Sequence, residues 1–193
     1  MGIWETITGR TRPKRANLDA LFLVPSAAIT LQTAAGLTPT GDGSVCYRAT
    51  TGAGFHEAQV DILELLAATA DAPEVRTSTD EFGFTWLQAH RDPGDPEGVS
   101  GLCTDLHAVN TTLEAEGFGP GLLCSLVPFE DPSGRRVGLV YLYKKGTFYP
   151  FAPSGPQRRD NLLELRVRDA LAAELPFEPE LSGWLALWGA PGL

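Results

Sequence analysis

The stretch VGLVYLYKKGTFYPFAP, residues 137–153, constrains the fold more than any other part of this chain. Aliphatic and aromatic side chains flank a Lys-Lys-Gly turn and occupy both the odd and the even positions of each arm. A strand that is apolar on both faces must be covered on both. The segment therefore predicts a buried β-hairpin, with strands over 136–144 and 147–151. Its cover comes either from this chain or from a partner. Tyr141, Tyr143, Lys144, Lys145, Tyr149 and Phe151 are accordingly candidate interaction residues.

The rest of the chain supplies elements to pack on that hairpin. Residues 17–36 read as helix in two pieces, interrupted at Pro25-Ser26 and stopped by Gly36. A turn at residues 40–43 leads into a strand over 44–49. Helical spacing returns over 56–70, and two β-prone runs follow at 74–79 and 84–90. Leu102, Leu106, Val109 and Leu113 form an amphipathic stripe on a helix over 100–116. A strand over 122–129 precedes the hairpin, and a helix over 158–175 follows it. Leu181, Trp184, Leu185 and Trp188 fall at i, i+3, i+4 and i+7, which predicts a short terminal helix. Trp184 and Trp188 join the candidate interaction residues, because exposed Trp dominates interface energetics. This order of helices and strand runs predicts an α+β fold, an antiparallel sheet with packed helices.

Charge divides the chain in two. Residues 1–15 carry Arg10, Arg12, Lys14 and Arg15 against Glu5, a net of +3. The remainder carries 11 basic and 23 acidic residues, a sign that repels phosphate backbones and argues against nucleic-acid binding. The expected organisation is a basic N-terminal arm over 1–16 and one α+β domain over 17–193. With Trp4, the arm's four basic residues form a candidate contact for an anionic membrane surface or an acidic partner. Residues 18–31 are the longest apolar run, interrupted by Asp19, Pro25, Ser26 and Thr30, short of the roughly 20 residues a membrane span needs. The N-terminus lacks the charge order of a signal peptide. The expected location is the cytoplasm, with a peripheral contact to the inner membrane face through the arm.

Chemistry-bearing residues are sparse. Cys46, Cys103 and Cys124 are widely spaced among apolar neighbours, as small buried hydrophobes are, and no Cys-x-x-Cys occurs. On a helix, Asp105, His107 and Asn110 form the one polar cluster that a hydrolase or ligand-binding enzyme could be built on. His-x-x-Asn is a poor metal-ligand spacing, so neither metal nor cofactor is expected.

Five segments together resemble a known family. They are PSAAITLQTAAGL from Pro25, DLHAVNTTLEAEGFGPGLLC from Asp105, LVYLYKKGTFYPFAP from Leu139, Arg159-Asp160-Asn161, and the ending WGAPGL from Trp188. They resemble the bacterial PspA-associated protein PspAB over nearly the whole chain, from about Asn17 onward. The resemblance implies a link to the phage-shock, or envelope-stress, response. It implies as partners a coiled-coil PspA-type protein or an HtpX-type membrane protease, and it carries over no catalytic residue. The element order is similar to the YbjN and type III secretion-chaperone-like fold. The leading expectation is a non-enzymatic adaptor acting through protein binding. The alternatives are the small enzyme centred on Asp105, His107 and Asn110, and a chaperone-like module holding an amphipathic segment.

Overall fold

The computed structural model describes residues 17–49 and 53–193. The arm residues Trp4, Arg10, Arg12, Lys14 and Arg15 lie outside them. A 3-10 turn at Leu18–Leu23 runs directly into α1, Val24–Ala35. Pro25 does not interrupt this helix, because it sits in the first turn, where a missing N–H costs nothing. Leu18–Ala35 is thus one stretch with the length and hydropathy of a membrane span. Its stripe of Leu21, Val24, Ala27 and Leu31 is buried in the core against the helical layer. Gly36 ends it in the left-handed conformation at φ 66°, its N–H bonding the carbonyl of Gln32.

β1 (Thr38–Pro39) and β2 (Asp42–Arg48) follow, then α2 (Ala53–Ala67). β3 (Glu74–Thr79) and β4 (Phe84–His90) occupy the two predicted runs, and α3 spans Gly98–Ala115 with its predicted stripe fully buried. β5 (Leu122–Glu130), β6 (Arg136–Leu142), β7 (Thr147–Phe151) and α4 (Asn161–Leu171) complete the order. α4 starts later than the sequence suggests, because Asp160 caps it, accepting a bond from the Leu163 N–H at 3.0 Å. Arg159, just upstream, bridges back to Pro153 in a strand-like contact.

The sheet has the order β3-β4-β2-β5-β6-β7, antiparallel throughout, with β1 pairing the far end of β5. β2 and β5 lie at its centre. β5 is flanked on its other side by β6, the next strand in the chain, and β2 by β4, which returns to it after α2 and β3, so two three-stranded units meet at one ladder. That ladder carries a bulge: Cys46 faces Cys124 and Tyr47 faces Leu122, which leaves Leu123 as the extra residue. The bulge reverses the alternation of β5. Leu122 turns toward the helices, while both Leu123 and Cys124 turn the other way.

Both faces of the sheet are covered from within the chain. Val45, Tyr47, Leu87, Val127, Leu139, Tyr141 and Phe148 pack under the helical layer. Cys46, Trp86, Leu126, Val140, Tyr149 and Phe151 point to the opposite face. That second face is covered by the C-terminal segment, which is not the helix that its periodicity predicts. Beyond a 3-10 turn at Leu181–Gly183 it is irregular. Extended chain advances about 3.3 Å per residue against 1.5 Å in a helix, so an open segment crosses more of the sheet. Gly183, Gly189 and Pro191 favour that path. Trp184 stacks on Tyr149 with ring centroids 6.3 Å apart, and Trp188 meets Phe151 edge-on at 5.1 Å. At the end, Leu193 lies against Gly138, where an added Cβ would sit 3.0 Å from the leucine and 2.3 Å from Leu126.

Candidate functional site

The polar cluster on α3 does not converge. Asp105 is buried and takes the Arg91 guanidinium through both oxygens, at 2.6 and 3.1 Å. Arg91 also reaches Asp71, and these bonds hold its pKa above the ordinary value. His107 leans the other way, its ring 4.9 Å from Phe22 and its Nδ1 3.4 Å from the Leu18 carbonyl oxygen. Asn110 points into the core, donating from Nδ2 to the Ser125 hydroxyl at 3.3 Å. Ser125 in turn contacts the Tyr143 hydroxyl. One residue anchors a loop, one packs on the N-terminal turn, and one links helix to sheet. The three share no substrate position. Among the described residues no group of three or more His, Cys, Asp or Glu could hold a metal ion.

The hairpin aromatics are interior. Tyr141, Tyr143, Tyr149 and Phe151 are each 0–2% exposed, so their side chains face this chain's own core and tail rather than an outside partner. Burial raises the pKa of all three tyrosines, that of Tyr141 to about 12. Trp184 is buried as well, its indole N–H donating to the Glu178 carbonyl oxygen at 3.0 Å. Lys144, Lys145 and part of Trp188 remain at the surface.

Those three residues border a cleft of about 700 Å³ on the face away from the helices, at the end of the sheet marked by Arg48 and Phe84. Its floor is Trp86 of β4, Cys46 of β2, Leu123 and Cys124 of β5, Leu142 of β6 and Tyr149 of β7. One wall is the β3–β4 turn with Phe82 and Phe84, and the other is the tail from Ser182 to Trp188. Phe82 and Leu185 stand at the rim 64% and 58% exposed. The volume falls in the roughly 300–1,000 Å³ range of ligand-sized sites, and the lining is mostly apolar. No single stretch of sequence announces this cleft, because six separate segments build it. The bulge at Leu123 is one reason it is apolar, since it aims two adjacent side chains into the same space.

The cleft's polar groups are mostly committed to structure. Asp80 accepts from the backbone N–H groups of Phe82 and Phe84 and from the Trp86 indole at 2.9 Å. The Cys124 thiol is pushed well up in pKa by its hydrogen bond to Cys46 and by burial. Lys145 is tied to Glu178 at 3.1 Å. Burial works to raise the Glu178 carboxyl, but Lys145, Thr147 and the Glu180 N–H outweigh it and hold the pKa below the usual value. Arg48 lies over the Phe84 ring at 5.6 Å, and neither it nor Lys144 has an ion-pair partner among the described residues. Such an arrangement presents a mostly apolar surface.

No curated protein and no solved structure matches this chain. A family model does, and it covers residues 1–192, including every element that forms the sheet, the tail and the cleft. The chain belongs to the family PspAB, PspA associated protein B.

Proposed function

We propose that this protein is a non-enzymatic adaptor in the PspA-type membrane-stress response, acting by binding a partner protein in the apolar cleft. The observation that carries the reading is the cleft itself. It leaves Phe82, Leu185 and part of Trp188 in water at one place, while its hydrogen-bonding groups serve the fold. Apolar surface exposed together at a concave site favours association. The family's name directs the partner search to PspA-type coiled-coil proteins, and an HtpX-type membrane protease is the second partner in this proposal. The proposed location is the cytoplasm, with the basic arm bringing the protein to the inner membrane face.

Titration calorimetry between the purified chain and a PspA-type protein tests the reading. Binding that Leu185→Asp weakens at least severalfold supports it. The absence of binding to the PspA-type protein, with and without vesicles containing an HtpX-type protease, would sink it.

A further inference from the structure

We infer that the cleft takes an amphipathic α-helix with acidic flanks, about 13 residues long. This rests on the partner-binding reading and names the chemistry of the segment bound. Three observations converge on it.

The first is charge. The residues lining the cleft include Arg48, Lys144 and Lys145 against the single acid Asp80, although the whole chain carries −9. Asp80 is held by three N–H donors, and Lys145 is paired with Glu178. Arg48 and Lys144 are both exposed and make no ion pair among the described residues. They stand on β2 and just past β6, two strand spacings apart, which is about 10 Å. At 1.5 Å per residue that separation matches acids about seven positions apart, on one side of a helix.

The second is the floor. It is a sheet face, not a sheet edge, so the backbone groups beneath it are already paired across the ladders. An extended peptide laid there would bury N–H and C=O groups without partners, which is costly. A helix satisfies its own backbone and needs only an apolar stripe to bury. The floor crosses β4 to β7, four strand spacings or about 19 Å, which a helix of about 13 residues spans.

The third is that the cleft opens to solvent, with Phe82 and Leu185 at its rim largely exposed. A helix keeps its polar face in water there. An acyl chain would leave apolar surface exposed, whereas small-molecule sites bury most of their ligand.

The test uses the full chain and synthetic probes. The first probe is a 14-residue helix with a leucine stripe flanked by Glu. The others are its twin flanked by Lys, a proline-interrupted version that cannot form a helix, and dodecanoate. Calorimetry gives affinity, and a change in intrinsic tryptophan fluorescence that is lost in Trp86→Phe with Trp188→Phe reports occupancy of the cleft. The Glu-flanked helix should bind roughly tenfold more tightly than the Lys-flanked one, as two exposed ion pairs would allow. Arg48→Glu with Lys144→Glu should invert that order; both side chains are exposed, and circular dichroism checks the fold. Leu185→Ser, which removes apolar surface without adding charge, should weaken both helices alike.

Equal affinity for the two helices, or an unchanged order in the double variant, overturns the inference. So does tighter binding of the proline-interrupted peptide, or displacement of the Glu-flanked helix by equimolar dodecanoate. The two proposals fail separately. A PspA-type protein that binds wild type and double variant equally leaves the adaptor standing and removes the acidic helix. The reverse follows if the Glu-flanked helix binds while the PspA-type protein does not.

Discussion

Asp105 shows how a side chain that reads as chemistry can be spent on architecture. Its carboxylate and the Arg91 guanidinium make a two-bond pair at a mostly buried position, joining α3 to the segment after β4. Removing Asp105 leaves the mostly buried Arg91 with only the exposed Asp71, so the loss is that of hydrogen bonds to a charged group, about 1.5–3 kcal/mol. Asp105→Ala should therefore lower the urea midpoint of unfolding by a corresponding amount. His107→Ala, which removes a half-buried contact, should cost clearly less. Asn110 belongs to the same lesson. From the sequence it shares a helix with His107, but it enters the core to meet Ser125 and Tyr143. Residue types and spacing told which side chains were polar. They did not tell which of them the sheet would claim.

Among the elements, the strands were the most legible. β3, β4 and β7 lie where alternation and turn residues place them, because each is bounded by Gly, Pro or Asp that ends it locally. The tail was the least legible. Trp184 and Trp188 have helical spacing, but the spacing arises from two contacts to the sheet, on Tyr149 and Phe151, rather than from a helix. A period describes where side chains must land, and an irregular chain can meet the same requirement. The cleft was illegible for a related reason, since its walls come from segments more than a hundred residues apart. The tail's attachment at Glu178 also sets a pH dependence. The carboxyl's pKa is lowered in the folded protein, so its contribution is present above the unfolded value of 4.5 and is lost as pH falls through the folded one. The near-ultraviolet circular dichroism of the Trp184–Tyr149 stack should weaken on acidification below about pH 4.5. Lys145→Gln should shift that loss to higher pH.

For the whole molecule, the sheet is the middle layer of three, with helices on one face and the tail on the other. The tail layer is thin, and Trp184 is its largest buried side chain. Trp184→Ala should destabilise the protein by about 3–5 kcal/mol, as truncation of a buried aromatic does. Under native conditions it should also speed labelling of Cys46 and Cys124 by a thiol reagent. Cys103, under the helical layer, should stay protected. Equal acceleration at all three cysteines would mean that the tail and the helical core open as one unit.

The ladder between β2 and β5 has a kinetic meaning. Each three-stranded unit is built from neighbouring strands with one exception, the return of β4 to β2 past α2 and β3. The join between the units pairs residues 44–47 with 122–126, and it closes a loop of more than 70 residues. Loop closure of that length is slow relative to hairpin formation. Assembly of this ladder should therefore govern the refolding rate. Val45→Ala should slow refolding in stopped-flow measurements, while Thr77→Ala on the outer strand should leave the folding limb almost unchanged. The pairing of Cys46 with Cys124 would then mark the moment at which two half-sheets become one molecule.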